Sequence, residues 1–114
     1  MDVVLVGLPG SGKTAIGRRL AHRHGAEFVD LDERIEEAAG RRIPEIFAED
    51  GEAAFRRLEW EAVAALGPPS GGPAIRRVIA PGGGAVVDPR NRWALYRGRV
   101  PIWLDVRPEV QAAF

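Results

Sequence analysis

Eight residues near the amino end have the types and spacing of a site for a phosphorylated ligand. They run Gly7-Leu8-Pro9-Gly10-Ser11-Gly12-Lys13-Thr14 and fit the pattern G-x-x-x-x-G-K-[ST]. Because glycine has no Cβ, successive N–H groups can turn toward phosphate oxygens, and a helix beginning near Lys13 would point its positive end at them. The pattern predicts binding of a nucleoside triphosphate with Mg²⁺ by Gly10, Ser11, Gly12, Lys13 and Thr14.

Within this loop, Lys13 and Thr14 carry the two side chains with distinct chemistry. Lys13 is the only lysine among 16 basic residues, so the compact ammonium occurs only where arginine would serve poorly. We expect Lys13 to reach the β- and γ-phosphates as a catalytic residue, and the Thr14 hydroxyl to coordinate Mg²⁺.

Two acidic residues, Asp30 and Asp32, follow a short apolar segment. In an extended chain residues two apart point to the same side, so both carboxylates are expected to face the crevice beyond a strand's carboxyl end. One could hold the magnesium shell through water, and the other could accept the proton of a substrate hydroxyl. The alternative is that Asp32 is only a helix N-cap.

A second candidate group is Arg56 with Glu59, three residues apart on a predicted helix. A guanidinium oriented by a carboxylate can bind a substrate carboxylate through two parallel hydrogen bonds. The alternative is a surface ion pair of little energetic consequence.

Three consecutive glycines, Gly82, Gly83 and Gly84, directly follow another apolar segment. Their lack of side chains would allow a ligand to approach the backbone closely, so we expect them to contact substrate. The alternative is an ordinary tight turn between a strand and a helix.

Short apolar runs alternate with longer helical patterns, which predicts an α/β fold with a parallel sheet. The predicted strands are 2–7, 27–30, 78–80 and 100–106. The predicted helices are 13–24, 32–39, 44–49, 52–66, 91–97 and 108–114, and 67–73 is expected to be a flexible surface loop. We expect Ile16, Leu20 and His24 to share one helix face, and Trp60, Trp93 and Trp103 to be packing residues.

Composition excludes several other classes of function. The net charge is zero without a lysine-rich run, so neither a nucleic acid nor a membrane surface is implied as a partner. The chain has no cysteine, hence no disulfide framework or thiolate metal site. The opening apolar run covers only residues 3–8, which is too short for a membrane span, and we expect a cytoplasmic protein.

Taken together, these blocks resemble shikimate kinase in order and spacing. The resemblance also includes the segments 43–47 and 50–52, and it covers about three-quarters of the chain. It implies a single P-loop kinase domain over 1–114 with a three-layer α/β/α, P-loop NTPase-type parallel sheet that has helices on both faces. It further implies ATP-dependent phosphorylation of the shikimate 3-hydroxyl.

The same resemblance implies specific roles for the candidate residues. Asp32 would hold the substrate hydroxyls and act as, or assist, the base. Arg56, oriented by Glu59, would bind the substrate carboxylate beside Gly82, Gly83 and Gly84. Asp30 would stand behind the magnesium ion bound by Thr14.

Members of that family continue beyond the fourth predicted strand, where they carry a lid with an arginine for the phosphates, a second substrate arginine, and a last strand and helix. We therefore expect this chain to lack that last strand and helix, and self-association or a partner chain to cover the exposed sheet edge. Three alternatives stay open: a catalytically impaired nucleotide-binding module, a fragment of a split or fused enzyme, or a kinase for another polyol acid such as gluconate.

Overall fold

A single parallel sheet organises the molecule. The computed structural model describes residues 1–7, 11–82 and 88–104, with the backbone alone at residues 11–13. Within these ranges four strands hydrogen-bond in the spatial order β2-β3-β1-β4, and every neighbouring pair is parallel. The strands are β1 (Asp2–Gly7), β2 (Glu27–Asp30), β3 (Arg77–Ala80) and β4 (Val100–Leu104).

Helices cover both faces of this sheet, which confirms the predicted three-layer α/β/α fold. They are α1 (Ser11–His24), α2 (Leu31–Ala39), α3 (Ile43–Ala64) and α4 (Pro89–Tyr96). One core lies between the sheet and α1, and a second lies between the opposite face and α3 with α4. The end of the predicted fourth strand and the predicted helix 108–114 lie outside the described residues.

The register of the sheet brings the candidate residues to one edge. In a parallel sheet all strands end at the same side, where open α/β sheets bind ligands. Gly7 lies opposite Leu104, and Asp30 lies opposite Ala80. The segments that follow β1, β2 and β3 therefore begin next to one another, and each carries part of the predicted site.

Helix α1 packs on the sheet through small residues, which corrects the predicted apolar face. Gly17 and Ala21 are buried, whereas Ile16 and His24 are exposed. A Cβ built on Gly17 would lie 2.5 Å from Cε1 of Phe28 and 2.9 Å from Cδ1 of Leu5. Close approach of the helix to the sheet thus selects the glycine face rather than the bulkier isoleucine face.

Two helices meet at Gly51, as predicted, and together they make up the element α3. Gly51 has φ 84° and ψ 178°, and its residues on both sides are helical. The glycine therefore separates the two helices as predicted, because it can adopt this non-helical conformation with a positive φ at little cost. Although α3 is the longest helix in the described ranges, neither it nor any other there is long and apolar enough to cross a bilayer.

The tryptophans do not pack as predicted. Trp60, Trp93 and Trp103 are 48%, 65% and 75% exposed, respectively. Trp93 instead lies under the guanidinium of Arg97, whose Cζ is 4.8 Å from the ring centroid. Trp103 belongs to β4, which is an edge strand in the described sheet. Coverage of this edge by a second copy or a partner stays a prediction.

At the amino ends of the strands a buried carboxylate joins two arginines. Asp2 is fully buried, and its oxygens accept hydrogen bonds from Arg77 Nε (3.1 Å), Arg77 Nη2 (2.6 Å) and Arg99 Nε (2.9 Å). The same guanidinium groups donate to the carbonyls of Leu66, Gly67 and Pro68. The network ties β1 and β3 to the segment before β4 and to the segment that follows α3.

The loop predicted to be flexible, residues 67–73, is fixed by hydrogen bonds from charged groups at the amino ends of the strands. Beyond the two arginines, the amino group of Met1 donates to the carbonyls of Gly71 (3.3 Å), Gly72 (3.1 Å) and Ala74 (2.5 Å). The loop is at the surface as predicted, but its carbonyls are engaged by charged donors. Such charge-assisted hydrogen bonds are about twice as strong as neutral ones.

We expect Asp2→Asn to destabilise the chain and to alter its response to acid. Burial alone would raise the pKa of Asp2, but the hydrogen bonds from Arg77 and Arg99 outweigh it and lower the pKa to about 2. A lowered carboxyl pKa adds stability above the unfolded pKa that is lost as the pH falls from about 4 to about 2. This contribution is roughly 2 kcal/mol, and leaving two arginines without their carboxylate adds to the loss.

Urea unfolding at neutral pH and at stepwise lower pH measures both effects. Asp50→Asn is the control, because Asp50 forms an exposed ion pair with Arg41 and should change stability little. Equal losses in the two variants, or an unchanged acid response in Asp2→Asn, would contradict the role given to the buried network.

Candidate active site

The phosphate-binding segment connects β1 to α1 at the carboxyl edge of the sheet. The last residue of β1, Gly7, has φ 153°, and a Cβ built there would lie 2.5 Å from the Leu104 carbonyl oxygen. Only glycine fits this approach of two strands. Helix α1 begins at Ser11, two residues earlier than predicted, and its first turn contains no acidic residue. This helix end is therefore suited to an anion.

Parts of the predicted loop lie beyond what the structure describes. Gly10 falls outside the described residues, and of Ser11, Gly12 and Lys13 the backbone alone is described. Thr14 is half-buried within the first turns of α1. The roles of these residues toward ATP stay predictions, supported here by the strand-to-helix backbone that the motif requires.

Asp30, not Asp32, is the N-cap of α2. Its Oδ1 accepts a hydrogen bond from the backbone N–H of Glu33 at 3.2 Å, and α2 begins at Leu31, one residue earlier than predicted. The expectation that both carboxylates project from one extended segment is therefore wrong, because Asp32 is already helical. Asp32 is half-buried in the first turn, and its side chain contacts a different element.

The side chain of Asp32 packs against Gly82. A Cβ built on Gly82 would lie 2.6 Å from Cγ and 2.9 Å from Oδ2 of Asp32. The sheet explains the contact, because each residue lies two positions beyond a registered pair, Asp30 and Ala80. Gly82 was expected to make room for a ligand, but in the structure its missing Cβ makes room for this carboxylate. Gly83 and Gly84 lie outside the described residues.

Arg56 lies between two carboxylates on α3. Its Nη2 donates to Glu52 Oε1 at 3.0 Å, and its Nη1 is 3.9 Å from Glu59 Oε1. Glu52 is exposed, whereas Glu59 is 1% exposed, so the pair with Glu59 differs from the surface ion pair offered as the alternative. Within the described residues, the buried Nη1 atom has no hydrogen-bond partner.

Asn91 on α4 completes this cluster, and sequence reasoning missed it. Its Nδ2 donates to Glu59 Oε1 at 2.7 Å, and Asn91 is itself 1% exposed. An asparagine in the first turn of a short helix gives no periodic signal, and no motif identifies it. The available signal was the proline at the start of α4, which places Asn91 two residues into a helix.

Burial raises the pKa of Glu59 above its ordinary value. The Asn91 hydrogen bond and the charge of Arg56 oppose this effect, and the nearby carboxylates of Asp88 and Asp32 add to it. The pKa of Arg56 is also raised, first through its hydrogen bond to Glu52 and further through Glu59 and Asp88. The candidate residues of α2, α3 and α4 thus form one electrostatic cluster.

The described oxygen donors fit a magnesium ion only if the nucleotide supplies further ligands. No group of three or more His, Cys, Asp or Glu side chains able to hold a metal occurs in residues 1–7, 11–82 and 88–104. Mg²⁺ usually keeps several waters and takes one or two protein oxygens together with substrate phosphates. Thr14 and Asp30 offer hard oxygen donors of this kind.

A cavity of about 440 Å³ lies elsewhere, between β2, α2 and the second half of α3. Its walls include Glu27, Arg34, Leu58, Glu61 and Arg77. None of the predicted site residues lines it, so we place the candidate site at the carboxyl edge of the sheet, where the motifs meet.

Comparison with known proteins points to one family. The family model for shikimate kinase matches residues 9–114. A shikimate kinase of Symbiobacterium thermophilum is 52% identical over 109 residues, which is 96% of this chain and 60% of that protein. One of Mycobacterium marinum is 52% identical over 104 residues, covering 90% of this chain and 53% of that protein.

Solved structures give the same result. Shikimate kinase from Acinetobacter baumannii in complex with shikimate has a TM-score of 0.80 and 37% identity, covering 98% of this chain and 60% of that one. The enzyme from Aquifex aeolicus has a TM-score of 0.79 and 31% identity. This chain therefore spans about half to three-fifths of the length of the curated relatives described above.

We expect Gly82→Ala to destabilise the chain by displacing Asp32. Overpacking of this kind typically costs about 1–3 kcal/mol. Gly71→Ala is the matched control, since a Cβ there meets nothing within 4 Å and φ is not positive. Chemical denaturation in an Asp32→Ala background tests the cause, because the cost of Gly82→Ala should there fall by at least half. A cost that is unchanged in that background would refute the contact.

Proposed function

The chain belongs to the shikimate kinase family, and from this we propose that the protein transfers the γ-phosphoryl group of ATP to the 3-hydroxyl of shikimate. The products are shikimate 3-phosphate and ADP. The observation that carries the proposal is the convergence of a guanidinium and a carboxylate on one buried glutamate, with the carboxylate following a strand at the sheet edge where the phosphate-binding segment also begins. Arg56 and Asp32 both neighbour the buried Glu59 in the same electrostatic cluster.

Arg56 is proposed to bind the carboxylate of shikimate. Its buried Nη1 lacks a hydrogen-bond partner among the described residues, and its neighbour Glu59 lies at 3.9 Å rather than in direct contact. A ligand carboxylate would satisfy this nitrogen and neutralise the cation. Two parallel hydrogen bonds from a guanidinium fix the orientation as well as the position of such a group.

Asp32 is proposed to bind the hydroxyls of the substrate and to act as, or assist, the base. It stands in the first turn of α2, where its side chain is held against Gly82. Confinement by packing positions the carboxylate before the substrate arrives, which is a main source of catalytic advantage in phosphoryl transfer. Gly83 and Gly84 are proposed to line the same pocket.

At the nucleotide side, the start of α1 and Lys13 are proposed to bind the phosphates. Gly10, Ser11 and Gly12 would contribute backbone N–H groups. Mg²⁺, when bound, would neutralise charge on the β- and γ-phosphates. Thr14 would hold it directly and Asp30 through water. We propose the cytoplasm as the compartment.

Calorimetry and an assay of ADP release test this proposal in the same preparation. We expect ATP with Mg²⁺ to bind, and ADP release to depend on added shikimate. Asp32→Asn should abolish the shikimate-dependent release and leave ATP binding nearly unchanged, because the residue faces the hydroxyl rather than the phosphates. Folding of the variant is checked by circular dichroism.

The outcomes separate the alternatives. ATP binding without shikimate-stimulated ADP release would replace the kinase proposal with that of a nucleotide-binding module. Release stimulated by gluconate but not by shikimate would reassign the substrate. If folded protein does not bind ATP at all, both the kinase proposal and the nucleotide-binding alternative are rejected.

Arg56→Ala should raise KM for shikimate at least tenfold and change KM for ATP much less. The substitution removes a charge-assisted contact to the substrate carboxylate alone, which is worth roughly 1.5–3 kcal/mol. Arg57→Ala is the control, because its side chain is the exposed neighbour on the same helix. Equal increases in the two KM values would remove Arg56 from its proposed role.

A further inference from the structure

We propose that Asn91 is a positioning residue for the substrate-carboxylate site, acting on Arg56 through Glu59. The inference rests on the proposed function. Among the described hydrogen bonds and ion pairs, Asn91 reaches neither the described part of the phosphate-binding segment nor Arg56 itself. Its one described side-chain hydrogen bond goes to Glu59 Oε1 at 2.7 Å, the same oxygen that lies 3.9 Å from Arg56 Nη1.

The shared oxygen explains why the positioning is needed. A carboxylate free to rotate beside a guanidinium would move into direct contact and form a bidentate pair. The Asn91 amide instead holds Glu59 Oε1 about one ångström short of that contact, since direct charged hydrogen bonds measure roughly 2.7–2.9 Å. Arg56 Nη1 is thereby oriented by the negative charge while its hydrogens stay available for a ligand.

Burial makes this arrangement rigid. Glu59 and Asn91 are each 1% exposed, so bulk solvent does not compete for the amide donor. The amide orientation follows from the chemistry of the pair, because an ionised carboxylate only accepts hydrogen bonds and the NH₂ group must face it. Two further described charges act on Glu59, Asp88, which caps α4, and Asp32 on α2, and both disfavour its ionised form.

The position of Asn91 also links two parts of the site. Asn91 lies in the first turns of α4, the helix that follows the glycine segment, whereas Glu59 and Arg56 lie on α3. The hydrogen bond spans 32 residues of sequence. It therefore couples the position of Glu59, and with it the guanidinium on α3, to the position of α4.

Three variants of the full chain test the inference. Asn91→Ala removes the donor, and Asn91→Asp keeps the shape but replaces the donor with a carboxylate. Arg92→Gln is the matched control for Asn91→Asp, because each substitution lowers the net charge by one and Arg92 lies at an exposed neighbouring position. The readouts are KM for shikimate, KM for ATP, kcat, and titration of the Glu59 carboxyl by carbon NMR.

With Asn91→Ala, we expect KM for shikimate to rise roughly tenfold, as for loss of an outer hydrogen bond that orients a ligand-binding group. KM for ATP should stay within about twofold, and Arg92→Gln should resemble the wild type. The Glu59 pKa should rise further in Asn91→Ala, since a hydrogen bond to the ionised form favours that form.

Asn91→Asp gives a readout that a purely structural role would not produce. Two adjacent carboxyl groups share one proton, so lowering the pH restores a hydrogen bond between positions 91 and 59. We expect shikimate binding by this variant to recover as the pH falls, whereas Asn91→Ala should not recover. If Asn91→Ala does not fold, the isosteric Asn91→Asp at low pH decides the question.

An Asn91→Ala variant with unchanged KM for shikimate, or a Glu59 carboxyl that titrates as in the wild type, would overturn the inference. The inference would also be overturned if Arg92→Gln weakened shikimate binding as much as Asn91→Asp does. A wild-type chain without any shikimate response would instead overturn the proposed function, and the Glu59 titration would then still decide whether Asn91 controls that carboxyl.

Discussion

The buried ion network of Asp2, Arg77 and Arg99 is the constraint on which the arrangement of the site depends. It joins β1 to β3 and to the segment before β4, and it anchors the carbonyls after α3. A fixed register at one end of a parallel sheet fixes where all strands finish at the other. The meeting of Asp32 with Gly82 follows from that register, because both continue from the paired residues Asp30 and Ala80.

The site itself contains a feature that works against stability. Glu59 is buried and its pKa is raised, so ionisation becomes less favourable in the folded chain than in the unfolded one. For an acid with a raised pKa, the contribution to stability declines as the pH rises above its unfolded value of about 4.3. The chain thus carries a partly compensated buried charge beside Arg56, a pattern common where a charge has a binding or catalytic role.

Much of the fold and of the candidate site could be predicted from the sequence, because the signals lie in short stretches of neighbouring residues. The bounds of β1 and β2 agree with the prediction, because a glycine or an aspartate at the end of each short run leaves little choice of where the strand ends. The likeness of the motif blocks to shikimate kinase is confirmed by the family comparison. The residues named within those blocks were adjacent in sequence or spaced by helical periods.

The features that sequence reasoning missed depend on contacts between distant segments. Asn91 meets Glu59 across 32 residues, and nothing in its local sequence indicates a buried partner. Arg77 likewise bonds to a carboxylate 75 residues away, and its neighbours in sequence do not indicate this partner. Asp30 rather than Asp32 became the N-cap because α2 starts directly at the strand end, a boundary that propensity does not resolve.

The exposure of all three tryptophans has a spectroscopic consequence. Trp60, Trp93 and Trp103 already meet solvent in the folded chain, so their indole emission should lie near that of water-exposed indole before any denaturant is added. Unfolding would then shift the wavelength of maximum emission only slightly. Unfolding is consequently better followed by circular dichroism than by intrinsic fluorescence.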